Sequence, residues 1–217
     1  MQVKTFGVIG AGQMGNGIAQ VAATSGLDVI MNDIKAEFVE HGLATITKIL
    51  SRNVDKGKMT AEEKEAVLGR IKTSVSLQDM AAADFVVEAA TENEAIKNQI
   101  FMDLDEICNS GVILSSNTSS IPIGRIAAQT RRPDKVIGMH FMNPVPVMRL
   151  VEVIPGIATS DETFQLTWDL AEKFGKTPAK SNDYPGFIAN RIFIPGQSMR
   201  TVRIIAGIVR QGKTRRV

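Results

Sequence analysis

Cysteine occurs once in the 217 residues, at Cys108, so no internal disulfide can form. Its helical, apolar neighbourhood marks a packed thiol rather than a nucleophile. Histidine occurs twice, and no group of His, Cys and carboxylates has metal-ligand spacing, so no metal site is expected. A run of about 18 apolar residues, the length that spans a bilayer, is missing. A glycine-rich motif begins so close to Met1 that no room is left for a signal or transit peptide, and the expectation is a cytoplasmic protein with no membrane partner. An excess of basic charge is also missing from most of the chain, although the net charge is +2 and the sequence pI about 8.7. From Tyr184 onward there are seven Lys/Arg and no Asp/Glu, which leaves 18 basic against 23 acidic residues, or −5, before it. No basic stripe interleaved with aromatics runs through that acidic body, so nucleic acid is not an expected partner. The basic tail lacks amphipathic order and aromatic anchors, which argues against a membrane role as well.

What is present is enough apolar material for a sizeable core, 44% of residues. The ten methionines read as core filling. The chain is organised around Phe6-Gly7-Val8-Ile9-Gly10-Ala11-Gly12-Gln13-Met14-Gly15, an apolar strand running into a glycine-rich turn and then a helix pattern through Ile18, Val21 and Ala22. Gly10 lets the chain turn sharply, Gly12 removes a side chain that would block a pyrophosphate, and Gly15 permits close helix packing. A helix N-terminus then offers backbone N–H groups and a favourable dipole to phosphates. A second strand, Asp28 to Asn32, ends at Asp33, 21 positions past Gly12, where an acid accepts from the adenosine ribose hydroxyls. A carboxylate there favours NAD over NADP; Lys35, two residues on, leaves NADP a small opening.

A long helix is expected from Lys35 to about Asn53, then the basic turn Lys56-Gly57-Lys58, then a helix opened by the capping box Thr60/Glu63. This helical pair exceeds what a crossover needs and reads as an insertion. Strands are expected at Ile71–Val75, Asp84–Ala89, Val112–Leu114, Lys135–Met139 with His140 at its end, Met148–Ile154 and Thr177–Ser181; helices at Ile96–Cys108 and from Asp161 to Phe174, closed by Gly175. The alternation predicts an α/β fold, a doubly wound, mostly parallel sheet with helices on both faces and polar clusters at strand ends.

Pro144 and Pro146 exclude regular ladder pairing and favour a reversal. His140 and Glu152 each lie six residues from Pro146, so such a reversal sets imidazole against carboxylate on neighbouring strands. A carboxylate on one ring nitrogen raises the basicity of the other, as a general base requires. From the residues alone, a histidine at a strand end beside a solvated glutamate remains the alternative.

Five ordered segments, VIGAGQMGNGIAQ, FVVEAATEN, SSNTSS, GMHFMNPVPVMRLVEV and DYPGFIANR, make the chain from about Val3 to Ile194 resemble the NAD-dependent L-3-hydroxyacyl-CoA dehydrogenases, most closely the short-chain bacterial 3-hydroxybutyryl-CoA dehydrogenases. The resemblance implies a Rossmann-type domain over residues 1–183 that binds NAD, and an acyl-CoA substrate. It implies His140 as general base and acid, Glu152 as its partner, and Ser119 and Asn190 as holders of the C3 oxygen and thioester carbonyl. Cofactor contacts fall on Gly10, Gly12, Gly15, Asp33, Glu92, Lys97, Ser119 and Asn143. Arg52, Lys56 and Lys58, in the helical pair, are candidates for the phosphates of coenzyme A; a merely solvated basic turn is the alternative.

Relatives of this kind are homo-oligomeric and continue into an all-helical second domain. Here residues 184–217 read as the truncated or frameshifted start of that domain with an atypical basic tail, since Gly196 to Val217 does not align. Two further readings therefore stay open at this stage, a catalytically weak or silent dinucleotide-binding fragment and a dehydrogenase of free hydroxy acids.

Overall fold

The structure, a computed structural model, describes residues 2–184 and 186–188. The first half runs β1 (Thr5–Ile9), α1 (Gln13–Thr24), β2 (Asp28–Asn32), α2 (Ala36–Asp55), α3 (Ala61–Gly69), β3 (Ile71–Ser74) and β4 (Phe85–Glu88). The second half runs α4 (Glu94–Ile107), β5 (Ile113–Ser116), α5 (Ile123–Ala127), β6 (Val136–Phe141), β7 (Leu150–Pro155), α6 (Asp161–Lys173) and β8 (Thr177–Lys180). All eight strands form one sheet in the order β3-β2-β1-β4-β5-β6-β7-β8. Pairing is parallel from β3 through β6, antiparallel between β6 and β7, and parallel again from β7 to β8.

The inner strands β1, β2, β4 and β6 are apolar almost throughout because both faces are covered, whereas the edge strands β3 (IKTS) and β8 (TPAK) are partly exposed. Phe6, Val8, Val29, Met31, Phe85 and Val87 point to one side, with Ile18 and Ala22 of α1, Ile46 and Leu50 of α2, and Leu170 of α6. Ile9, Ile30, Val86 and Leu114, the alternate positions, point to the other, with Phe101 and Leu104 of α4 and Ile126 of α5. Phe6 stacks on Phe85 across the centre of the first layer, ring centroids 5.4 Å apart. Each such fully buried ring contributes roughly 2–3 kcal/mol by removal from water.

The helical pair forms as the sequence indicates. Thr60 and Glu63 exchange the two bonds of a capping box, Thr60 Oγ1 accepting from Glu63 N at 3.1 Å and Glu63 Oε2 from Thr60 N at 2.7 Å. A Cβ on Gly42 would stand 2.7 Å from the Ala11 carbonyl oxygen, so α2 lies directly against the glycine-rich turn.

Most strand ends fall within a residue of expectation; β5 runs on to Ser116 rather than ending at Leu114, and two further boundaries differ beside the reversal. β6 continues one residue past His140 to Phe141, because its neighbour β7 carries the ladder on, His140 facing Glu152 and Phe141 facing Val151. β7 begins at Leu150 rather than Met148. The N–H groups of Val147 and Met148 instead close a turn on the Pro144 carbonyl, at 3.0 and 2.9 Å, and Lys176 Nζ bonds the Val145 and Met148 carbonyls. Of the truncated helical start expected over residues 184–217, with a helix from Phe187, residues 186–188 form a turn with Phe187 at φ +47°, and residues 189–217 lie outside the described residues.

Candidate active site

β1 sits between β2 and β4, so the chain leaves it to one side and later returns on the other. The carboxyl ends of β1 and β4 thus open a crevice at a topological switch point, where ligands of such sheets bind. Gly10 turns the chain off β1 with φ +97°, and a Cβ there would lie 2.7 Å from the Ala89 carbonyl oxygen. At Gly15 a Cβ would stand 1.8 Å from the Gly10 carbonyl oxygen, so this residue packs against the turn itself. Gly12 is the opposite case, since a Cβ there would meet nothing within 4 Å. It is also the N-cap of α1, and no side chain caps that helix. An open position in front of uncapped backbone N–H groups is what a dinucleotide pyrophosphate requires, and the residues present fit it.

Asp33 is fixed beside this turn, Oδ2 accepting from Ala11 N at 2.7 Å and Oδ1 from Ile34 N at 2.7 Å, and each oxygen keeps a lone pair for a ribose hydroxyl. A groove of about 890 Å³ runs from Gly10, Gly12 and Asp33 between Ile34, Val75 and Ile96. Those three apolar side chains are exposed, which an adenine ring lying between them would explain. Their part was missed in the sequence, where each stands at the end of an element rather than in a motif.

On the other side of the turn a pocket of about 310 Å³ gathers Glu92, Lys97, Ser119, His140 and Asn143 from three separate stretches of the chain. His140 Nδ1 lies 2.7 Å from Glu152 Oε2, both side chains being buried. That bond places the proton on Nδ1 when the ring is neutral and leaves the lone pair on Nε2. The other Glu152 oxygen accepts from Ile188 N at 2.9 Å. Asp183 accepts from Ile123 N and Gly124 N at 2.7 and 2.8 Å, and so serves the first turn of α5 from 60 residues away. Phe187 is buried, its ring 6.0 Å from that of His140. Asp183 is thus tied to α5 and Ile188 to Glu152 of β7. Asn190 lies outside the described residues.

Glu92 Oε1 accepts from Thr118 Oγ1, from both N and Oγ of Ser119, and from N and Oγ of Ser120, at 2.7 to 3.2 Å. Burial pushes its carboxyl up, but the bonds from Thr118, Ser120 and Ser119 together with the Lys97 charge outweigh this and hold it below the usual carboxylate range. Lys97 lines the pocket yet is only 1% exposed, its Nζ 2.5 Å from Glu88 Oε2 and 3.8 Å from Glu92 Oε2. Two residues escaped the sequence reading here. Asn117 lines the pocket and receives the Phe141 N–H at 2.8 Å, and Glu88 lies beneath it; only their place at strand ends would have marked them.

A third groove, about 310 Å³, lies between Asn143 to Pro146 and the face of α2 that carries His41, Thr45 and Ile49. Arg52 and Lys56 continue that helical stripe and are exposed, as is Lys58 in the following turn. None of the three has a carboxylate at ion-pair distance among the described residues. Within the same limits, no group of His, Cys and carboxylates could hold a metal, and no helix is long and apolar enough to cross a membrane.

Comparison with known proteins bears on the same residues. The family described as 3-hydroxyacyl-CoA dehydrogenase, NAD binding domain, matches residues 5–184. A protein named "Probable 3-hydroxybutyryl-CoA dehydrogenase" from Deinococcus radiodurans is 56% identical over 190 residues, which are 88% of this chain and 68% of that one. The 3-hydroxybutyryl-CoA dehydrogenase of Bradyrhizobium diazoefficiens is 50% identical over 193 residues, 89% of this chain and 66% of its own. Among solved structures, (S)-3-hydroxybutyryl-CoA dehydrogenase PaaH1 from Ralstonia eutropha superposes with a TM-score of 0.88 at 48% identity, over 89% of this chain and 69% of that one. The chain thus spans about two thirds of the length of these proteins. Agreement of sequence, fold and crevice makes this chain a member of the 3-hydroxyacyl-CoA dehydrogenase family, NAD-dependent oxidoreductases, with its NAD-binding domain in residues 5–184.

Proposed function

We propose that the chain interconverts 3-hydroxyacyl-CoA and 3-oxoacyl-CoA with His140 carrying the proton of the C3 oxygen. The observation that supports this most directly is the buried 2.7 Å contact between His140 Nδ1 and Glu152, on a ring that lines the same pocket as Ser119 and Asn143. In the oxidative direction Nε2 removes the hydroxyl proton, and the Glu152 carboxylate stabilises the imidazolium that results. In the reductive direction the imidazolium returns that proton to the C3 oxygen. Ser119 and Asn190 orient the C3 oxygen and the thioester carbonyl.

The backbone at Gly10, Gly12 and Gly15 with the N-terminus of α1 holds the pyrophosphate of NAD, and Asp33 its adenosine ribose. Glu92, Lys97, Ser119 and Asn143 border the nicotinamide. Bound NAD supplies the hydride acceptor or donor; everything else in the step is done by side chains of this chain. Coenzyme A follows the third groove along α2, so that Arg52, Lys56 and Lys58 meet its phosphates. The names of the relatives support a short acyl chain.

Consumption of NADH in the presence of acetoacetyl-CoA, with His140→Gln as control, tests the reading. Turnover that falls by about 10²- to 10⁴-fold in the variant, the usual contribution of a general acid–base group, supports it. Undiminished turnover in the variant overturns the assignment of His140. NADH binding by the native chain without consumption favours a silent dinucleotide-binding protein, and activity on the free hydroxy acid a different substrate class.

A further inference from the structure

Behind the pocket beside His140 lies a group that the proton transfer above does not use. Glu88 closes β4, is fully buried, and does not line the pocket. Its Oε1 accepts from Ala90 N at 2.9 Å, and its Oε2 from Ser116 Oγ at 2.9 Å and Lys97 Nζ at 2.5 Å. Lys97 is the one ammonium or guanidinium among the described residues that line this pocket. With Glu88 against it, that positive charge is locally cancelled. The pocket wall then shows the charge of Glu92, whose second oxygen stands further from Lys97, at 3.8 Å, and behind His140 lies the Glu152 carboxylate. Three carboxylates, those of Glu88, Glu92 and Glu152, thus stand around one ammonium, that of Lys97.

The two forms of the cofactor differ in charge where they meet this wall. The oxidised nicotinamide ring is a cation and the reduced ring is neutral. A net negative surround stabilises the first relative to the second, and water is excluded from the carboxylate that tips the balance. We propose that Glu88 is a positioning residue that holds Lys97 and, by cancelling its charge, sets the preference of the site between oxidised and reduced cofactor. The proposal rests on the reading of this pocket as the nicotinamide site.

The test is equilibrium binding of NAD+ and of NADH to the full chain by titration calorimetry, with no substrate present. Glu88→Gln keeps the shape and the acceptor oxygen but removes the charge. It raises the ratio of the NAD+ dissociation constant to that of NADH by about tenfold, the scale of one charge at this depth for an effective dielectric of about 20. Ser116→Ala removes a hydrogen bond to the same carboxylate without changing charge, and leaves the ratio within about twofold of the native value. A merely structural role for Glu88 weakens both forms alike, and an unchanged ratio in E88Q overturns the proposal. If E88Q does not fold, Glu92→Gln, at a side chain 43% exposed, makes the same change of charge and must move the ratio in the same direction; no movement there is equally fatal. A native chain that binds neither form defeats instead the reading of the pocket.

Discussion

The two ends of the crevice are built by different means. At the Gly10–Gly15 end the site is backbone: a turn, an uncapped helix and a position left empty, all within six consecutive residues. At the His140 end it is side chains, brought from β4, β5, β6, β7 and the segment after β8 and joined by hydrogen bonds spanning 9 to 60 positions in the chain. A backbone site depends on what is absent from it, and a side-chain site on each group being held by another. The first should fail by obstruction, the second by loss of charge or proton transfer with binding preserved.

The largest effect expected from this contrast is at His140. Replacement by Gln should lower turnover by about three orders of magnitude while the NADH dissociation constant, measured by fluorescence titration, stays within about threefold of native. A comparable loss of NADH affinity would mean that the two ends do not work independently.

The glycines give the sharpest internal test. Gly15→Ala places a Cβ against the Gly10 carbonyl, where backbone must move, and should destabilise the fold by about 1–3 kcal/mol as well as abolish NADH binding. Gly12→Ala puts its methyl group into open space, so the thermal midpoint should hardly change while NADH affinity falls by about tenfold or more. If both variants lose stability equally, Gly12 is structural and the empty position has no link to the cofactor.

Asp183 sharpens the comparison at the other end. Its carboxylate receives two N–H groups at the start of α5, and Asp183→Ala should cost about 1 kcal/mol, as loss of a helix cap does. Because Ile188, five positions on, donates its N–H to Glu152, turnover should fall further than NADH affinity. Equal losses would show that Asp183 has no part in positioning Glu152 against His140.

The same contrast accounts for what could be read from sequence. The glycine turn, Asp33 and the Thr60 capping box are local, so spacing reports their geometry directly. The His140/Glu152 register was legible because Pro144 and Pro146 mark a reversal, and the antiparallel ladder then pairs the two residues. Glu88 with Lys97, Asn117 with Phe141 and Asp183 with α5 carry no such mark. Asn117 meets Phe141 only because β5 and β6 become neighbours, Asp183 meets α5 only through the tertiary fold, and Glu88 meets Lys97 through the turn from β4 into α4, which no residue spacing marks. The boundaries of β6 and β7 were misplaced for a related reason, since a strand ends where its neighbour stops pairing and not where its own apolar run stops.

Cys108 supplies the smallest effect and a control remote from both ends. Burial pushes its thiol up from an ordinary 9.0 to about 11; the Arg132 guanidinium pulls it down, and Asp105 adds to the rise. At pH 8 about one thiol in a thousand is then ionised, and a disulfide reagent should label the native chain far more slowly than the urea-unfolded chain. The sign for stability follows. A folded-state pKa raised above the unfolded one means that the buried neutral thiol contributes fully below about pH 9, and that the contribution is lost as pH rises toward 11. Cys108→Ala should therefore show a shallower loss of thermal midpoint than the native chain between pH 9 and 11. It should show unchanged NADH affinity at pH 8, because Cys108 lines neither the adenine groove nor the His140 pocket.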